Sequence, residues 1–157
     1  MKIIEDAKTI VQGMLLQVGE LPPFMLIDGT VSCKLVPLDN LPETAHERVT
    51  AVFNIGSEMA LQGNVGQLKT VVFVSRGWLA ESKGEHPLDV RPSRDPHRKE
   101  MVLIVALNVV VNKQESATFQ ITRDMQGAFS LLEPYPMERE PYSPFLPAFV
   151  KGYNFAL

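Results

Sequence analysis

The chain has 157 residues, enough for one domain with its own core, and its 45% hydrophobic and 21% charged residues exclude wholesale disorder. The net charge of −3, without a basic stripe, argues against nucleic acid as a partner. Cys33 is the single cysteine, which excludes an internal disulfide and a thiolate-rich zinc site and favours a reducing compartment. Glu5 and Asp6 interrupt the first apolar stretch too early for an export signal, and no apolar run approaches the roughly 20 residues that span a bilayer. We therefore expect a cytoplasmic protein without a membrane partner.

The first third of the chain predicts a helix and a β-hairpin. Apolar residues recur at helical spacing over 3–18, and Gly19 supplies a left-handed stop. Residues 24–36 contain two short strands, and Asp28-Gly29 between them is typical of a two-residue hairpin turn. The alternation in the second strand predicts that Cys33 faces the core as a small hydrophobic residue.

A second helix and further strands follow. Residues 39–43 indicate a helix start and Gly63 the helix end. Gly56, on the apolar side, predicts close packing of this helix on a sheet, with a kink as the alternative. The later apolar and alternating runs predict strands at 69–75, 101–111 and 117–123, with a short further strand at 128–132.

This order of elements predicts an α+β domain over residues 1–132. We expect one mostly antiparallel sheet of about five strands and two main helices, in the order α-β-β-α-β-β-β. Small regulatory and scaffold modules of the profilin, roadblock and GAF kind resemble it in this order, which concerns topology and fixes no function.

Residues 133–157 form a tail rich in proline and aromatic residues. Five of the 12 prolines lie there. Disordered tails are usually poor in aromatic residues, and each large ring left in water forgoes roughly 1.5–3 kcal/mol of burial. The tail is therefore predicted to dock on its own domain, on a second copy or on another protein, through Tyr135, Tyr142, Phe145, Phe149, Tyr153 and Phe155.

The most polar segment, residues 79–100, separates two of the most apolar strands. A connection of this length is uncommon inside a domain and indicates a functional or a disordered loop. Its arginines between prolines could bind a phosphate or carboxylate, although its near balance of charge also fits internal ion pairing and turns. The candidate ligand-binding or partner-binding residues are Arg76, Trp78, Arg91, Ser93, Arg94, Asp95, His97 and Arg98.

No catalytic residue, metal ligand or cofactor is predicted. The chain has no Gly-x-Ser-x-Gly nucleophile elbow, and Gly63-Asn64-Val65-Gly66 lacks the lysine and spacing of a phosphate loop. His86 and His97 stand at no spacing that would place two ligands on one helix face.

Two runs carry a resemblance to a family. Residues 73–78 (Phe-Val-Ser-Arg-Gly-Trp) and 91–100 (Arg-Pro-Ser-Arg-Asp-Pro-His-Arg-Lys-Glu) resemble a signature of small uncharacterised proteins from bacteria and their phages. In those proteins a strand ends near a Trp, and a Pro-Ser-x-x-Pro-x-Arg-x-Glu-like run precedes an apolar strand. The resemblance extends over about residues 5–125, with Arg76-Gly77 in place of an acidic-small pair, and it implies a family without implying an activity.

The order of elements also resembles the JAB/MPN metalloprotease scaffold. There a strand ends in His-x-His-Pro and a loop supplies Ser-x-x-Asp, so that two histidines and an aspartate hold zinc. This chain has Ser75-Arg76-Gly77-Trp78 at the comparable strand end and Ser93-Arg94-Asp95 in the loop. That resemblance implies a metal-free, inactive scaffold, because a zinc peptidase needs all its ligands to activate water.

The sequence thus favours a non-catalytic interaction or assembly module that binds a protein partner or itself. The alternative is a sensor or enzyme with an anionic ligand in a pocket under the 79–100 loop.

Overall fold

The protein is described by a computed structural model over residues 2–79, 98–137 and 141–157. It has an α+β fold in which one antiparallel sheet, of strand order β2-β1-β3-β4-β5-β6, lies between helix α1 and the pair α2 and α3. The elements are α1 (Lys2–Gln17), β1 (Phe24–Gly29), β2 (Cys33–Pro37), α2 (Ala45–Gln62), β3 (Leu68–Leu79), β4 (Lys99–Asn108), β5 (Lys113–Arg123), β6 (Phe129–Pro134) and α3 (Phe145–Phe155).

The predicted α+β class and single antiparallel sheet are confirmed, but the described residues form six strands and three helices rather than about five and two. The sixth strand, β6, pairs along the last part of β5 and continues beyond residue 132 to Pro134. The third helix, α3, lies in the tail, where no helix was predicted.

Helix α1 covers one face of the sheet with the stripe that its sequence predicts. Ala7, Val11 and Leu15 are buried against the side chains of β1, β3, β4, β5 and β6 that point the same way. Gly19 adopts φ +78° just beyond the helix, as expected for a left-handed stop.

The opposite face is covered by α2 and α3, which cross at two glycines. A Cβ atom on Gly56 would overlap the carbonyl oxygen of Phe149, and one on Gly152 would overlap the carbonyl oxygen of Phe53. The Ser57 hydroxyl also donates to the Gly152 carbonyl at 2.9 Å. Gly56 therefore serves close packing, as expected, but against α3 rather than against the sheet.

Helix α2 begins later than residues 39–43 predict. Thr44 is the N-cap, and its Oγ1 accepts a hydrogen bond from the Glu47 amide at 3.3 Å. The Asp39 to Glu43 run therefore leads from β2 to the cap without being helical. Gly63, with φ +70°, ends α2 as predicted.

The prediction that Cys33 faces the core is wrong, because β2 is an edge strand and Cys33 is exposed. Cys33 lies opposite Asp28, and Leu35 lies opposite Leu26, on the α1 face of the sheet. The core under α1 includes Leu26 of β1 but no residue of β2. The α1 face of the sheet is therefore open to solvent at the β2 edge. Residues 30–32 connect β1 to β2. The two-residue turn predicted at Asp28-Gly29 is not formed there, because both residues belong to β1.

The exposed Cys33 thiol should react with alkylating agents, but slowly at neutral pH. Its pKa is raised above the ordinary value by partial desolvation of the thiol and, to a smaller extent, by the negative charges of Asp28 and Asp6. Because the thiolate is the nucleophile, a raised pKa lowers its fraction near pH 7. We expect Asp28→Asn to speed iodoacetamide alkylation at pH 7 and to leave the rate nearly unchanged once pH exceeds the thiol pKa. Asp39→Asn is the control; equal rates for all three proteins at pH 7 would contradict the expectation.

None of the described helices is both long and apolar enough to cross a membrane.

Candidate functional site

Strands β3 and β4 extend beyond the C-terminal end of α1, and this projecting end carries the candidate site. Val72 and Val74 of β3 are buried under α1, and the two-residue alternation of a strand places Arg76 and Trp78 on the same face. Glu100 of β4 is the register partner of Trp78. All three side chains therefore stand on the α1 side of the sheet, where the helix no longer covers it.

Two arginines lie over the Trp78 ring. The Cζ atom of Arg98 lies 4.4 Å from the ring centroid, and that of Arg76 lies 5.4 Å from it. Both distances are within the range of about 6 Å over which the aromatic quadrupole attracts a cation. The indole therefore holds two guanidinium groups close together at the strand ends.

Glu100 joins this group to the body of the protein. Its carboxylate accepts from Arg123 Nε at 2.7 Å and pairs with Arg76 Nη1 at 3.4 Å, and its side chain is only 10% exposed. Arg123 also donates to the carbonyl oxygens of Gly19 at 2.9 Å and Gly127 at 3.1 Å. Arg123 thus ties β5 to the end of α1 and to the β5–β6 turn, and it fixes the carboxylate that orients Arg76.

We call Arg76, Trp78, Arg98, Glu100 and Arg123 the Trp78 cluster. Its three arginines and one glutamate give these described residues a formal charge of +2. The side chain of Arg76 is 33% exposed and Arg98 is exposed, so both arginines are accessible to solvent. Planar guanidinium groups bind carboxylates and phosphates through paired hydrogen bonds.

A groove runs from the Trp78 cluster along the segment that joins α1 to β1. It has a volume of about 520 Å³ and reaches Arg76. Its remaining lining is mostly apolar: Val18, Glu20, Leu21, Pro22, Pro23 and Ser75. The charged end and the apolar floor are thus continuous, and the groove is open along its length rather than enclosed.

The cluster presents groups that can bind an anion. Its charged groups are guanidinium groups and a carboxylate already engaged by two of them, so none is placed as a nucleophile or as a free base. Among the described residues, no group of three or more His, Cys, Asp or Glu side chains could hold a metal ion.

The structure brings together three of the candidate binding residues predicted from the sequence, Arg76, Trp78 and Arg98. Five further predictions lie outside the described residues: Arg91, Ser93, Arg94, Asp95 and His97. Glu100 and Arg123 were not predicted as site residues. The antiparallel pairing of β3 with β4 could have indicated Glu100 opposite Trp78, but nothing in the sequence relates Arg123 to either residue.

The tail aromatics occupy three kinds of position. Phe149 and Tyr153 are buried between α2 and the sheet, and the Tyr153 hydroxyl donates to the Gly66 carbonyl. Phe145 meets Phe73 edge-on, with the ring centroids 5.1 Å apart.

The other three tail aromatics lie further out. Tyr135 is partly buried, with the Lys99 amine 4.9 Å from its ring centroid. Tyr142 is exposed, and Phe155 is exposed beside Phe53. Within the described part of the chain, α3 therefore carries most of the contact between tail and domain.

No known family model, curated protein or solved structure matches this chain.

Replacing Glu100 with glutamine should separate the binding role of the cluster from its structural role. The substitution removes the anion between Arg76 and Arg123, and we expect it to lower the free energy of unfolding by about 1–2 kcal/mol, since both arginines are partly exposed. The same change raises the net charge of the cluster, so binding of an acidic ligand should tighten. Urea denaturation measures the first effect. Weaker binding by the folded variant would contradict the second.

Proposed function

We propose that this protein is a non-catalytic interaction module that binds an acidic segment of a partner protein at the Trp78 cluster. The observation that carries the proposal is that the guanidinium groups of Arg76 and Arg98 both lie over one indole, at an end of the sheet that α1 leaves uncovered. Tryptophan and arginine are also the residues most enriched among those that dominate the energetics of protein interfaces.

A polypeptide fits the site better than a compact ligand does. The groove beside Arg76 is open and lined mainly by apolar residues, including Val18 and Leu21. An extended chain could place apolar side chains along the groove and a carboxylate on the guanidinium groups. Small-molecule pockets, in contrast, usually enclose most of their ligand.

A second candidate function is the binding of a small anion such as a phosphate or a carboxylic acid. The observation that favours it is the excess positive charge of the Trp78 cluster, which would attract either kind of ligand. In that case the Trp78 cluster alone would determine the affinity, and the apolar lining of the groove would contribute nothing to it.

Selection from a random peptide display library against the full chain tests the main proposal. Enrichment of peptides that combine glutamate or aspartate with apolar residues is expected, with affinity falling about tenfold, or 1.4 kcal/mol, in Arg98→Ala. Lys151→Ala is the matched control, because Lys151 is an exposed cation on α3, away from the cluster.

The same proteins should be screened for thermal stabilisation by inorganic phosphate and citrate. Stabilisation that Arg98→Ala abolishes, without enrichment of acidic peptides, would favour the small-anion function. Peptides that lack acidic residues, or that bind Arg98→Ala and the unmodified protein equally, would refute the interaction site proposed here.

A further inference from the structure

Strand β2 forms one edge of the sheet, and the hydrogen-bond pattern shows which of its backbone groups face outward. The Gly29 amide donates to the Ser32 carbonyl, and the Leu38 amide donates to the Pro23 carbonyl. In an antiparallel pair, successive residues of one strand point their backbone groups alternately toward and away from the neighbour. Even-numbered residues of β2 therefore bond to β1, while Cys33, Leu35 and Pro37 present their backbone groups outward.

On the α1 face the exposed side chains of this edge are apolar, whereas the exposed Lys34 lies on the opposite face. Leu35 is 44% exposed and Cys33 is exposed, both on the α1 face, whereas Val36 packs into the opposite core. Among the described strands, β2 has a neighbour on one side only. Within the described residues, the edge thus offers the outward amides of Cys33 and Leu35 beside exposed apolar side chains on the α1 face, and another strand can cover both.

We propose that two copies of this chain associate through antiparallel pairing of their β2 strands, with the two-fold axis at Leu35. In this register each Leu35 exchanges two hydrogen bonds with its symmetry mate. Each Cys33 amide donates to the carbonyl of the opposing Pro37. Every outward N–H group of β2 is then hydrogen-bonded. Pro37 has no backbone N–H group, and in this register only its carbonyl oxygen is needed.

Charge selects this register over its neighbours. With the axis at Leu35, Lys34 lies opposite Val36 of the second copy. Moving the axis to Lys34 would also satisfy the Cys33 and Leu35 amides, but it would place two like-charged lysines directly opposite each other, which is unfavourable. A two-fold contact closes on itself, whereas β2 pairing with β6 of another copy would leave free edges and continue into polymers.

This inference is independent of the proposed function, because it uses the edge of the sheet rather than the Trp78 cluster. Leu35→Pro provides one test, since it removes an outward amide and leaves the bonds between β2 and β1 in place. Sedimentation equilibrium should find a dimer for the unmodified chain and a monomer for Leu35→Pro, with unchanged circular dichroism.

Cysteine crosslinking gives a test that does not depend on the proline variant folding. In a Cys33→Ser background, Leu35→Cys places two cysteines in a hydrogen-bonded pair with Cα atoms about 5.5 Å apart, within reach of a disulfide. Lys34→Cys places them diagonally, roughly 8 Å apart, which is too far. Oxidation should convert most of the Leu35→Cys protein, and little of the Lys34→Cys protein, into a covalent dimer.

Three results would overturn the inference. Crosslinking of Lys34→Cys in preference to Leu35→Cys would show another register. A monomer at all concentrations, with no crosslinking of either variant, would show that β2 does not pair. Species that grow beyond a dimer with concentration would show open, head-to-tail association instead.

Discussion

Replacing Gly152 with alanine is expected to lower the free energy of unfolding by about 3 kcal/mol, near the upper end of the usual cost of overpacking a core. The added methyl group would overlap the backbone of Phe53 on α2, and neither helix can move away without disturbing the buried side chains between them. Urea denaturation followed by circular dichroism measures the loss.

Gly13→Ala is the matched control. Gly13 lies within α1, and a Cβ atom there would meet no other group within 4 Å. Since alanine favours the helix more than glycine does, this variant should gain about 0.5–1 kcal/mol. A Gly152→Ala protein as stable as the unmodified chain would show that α3 does not pack on α2 as described.

Removal of residues 144–157 is expected to abolish cooperative folding. Leu146, Phe149 and Tyr153 are almost fully buried. Each such side chain contributes roughly 1.5–3 kcal/mol by burial, and their sum is comparable with the roughly 5–15 kcal/mol that stabilises an ordinary domain. The shortened chain should also expose the core side chains of β3 and β4 that α3 covers.

The measurements for this truncation are thermal unfolding and binding of a dye that reports exposed apolar surface. Deletion of Leu157 alone is the control, because that residue is exposed and should contribute little. A sharp unfolding transition near that of the full chain, without dye binding, would contradict the place of α3 in the core.

The sequence predicts those elements whose cause is local. The apolar stripe of α1, the left-handed glycines at positions 19 and 63 and the unbroken apolar run of β4 each follow from a few neighbouring residues. Helix α3 was not predicted, and it begins in the proline-rich tail at Pro144 and Pro147. In the structure Pro144 is the N-cap and Pro147 lies in the first turn, where a backbone amide has no partner within the helix and proline is tolerated.

Features set by distant parts of the chain could not be read in this way. Alternation in β2 correctly separates its two faces, but only the full strand order shows that β2 is an edge and Cys33 exposed. The Trp78 cluster also depends on distant parts of the chain. Arg76 and Trp78 lie two residues apart in the sequence, but Arg123 contacts Glu100 from another strand. The fold supplies the third guanidinium and the carboxylate.

Trp78 is the single tryptophan of the chain, so its fluorescence reports directly on the candidate site. The most direct measurement is a titration of the full chain with an acidic peptide and with the same peptide carrying glutamine in place of glutamate. We expect the acidic peptide alone to change the emission of Trp78 saturably, with affinity that falls as salt is raised and falls again in Arg98→Ala. Identical titrations for the two peptides, or no change of emission with a peptide shown to bind, would contradict recognition of an acidic partner by the Trp78 cluster.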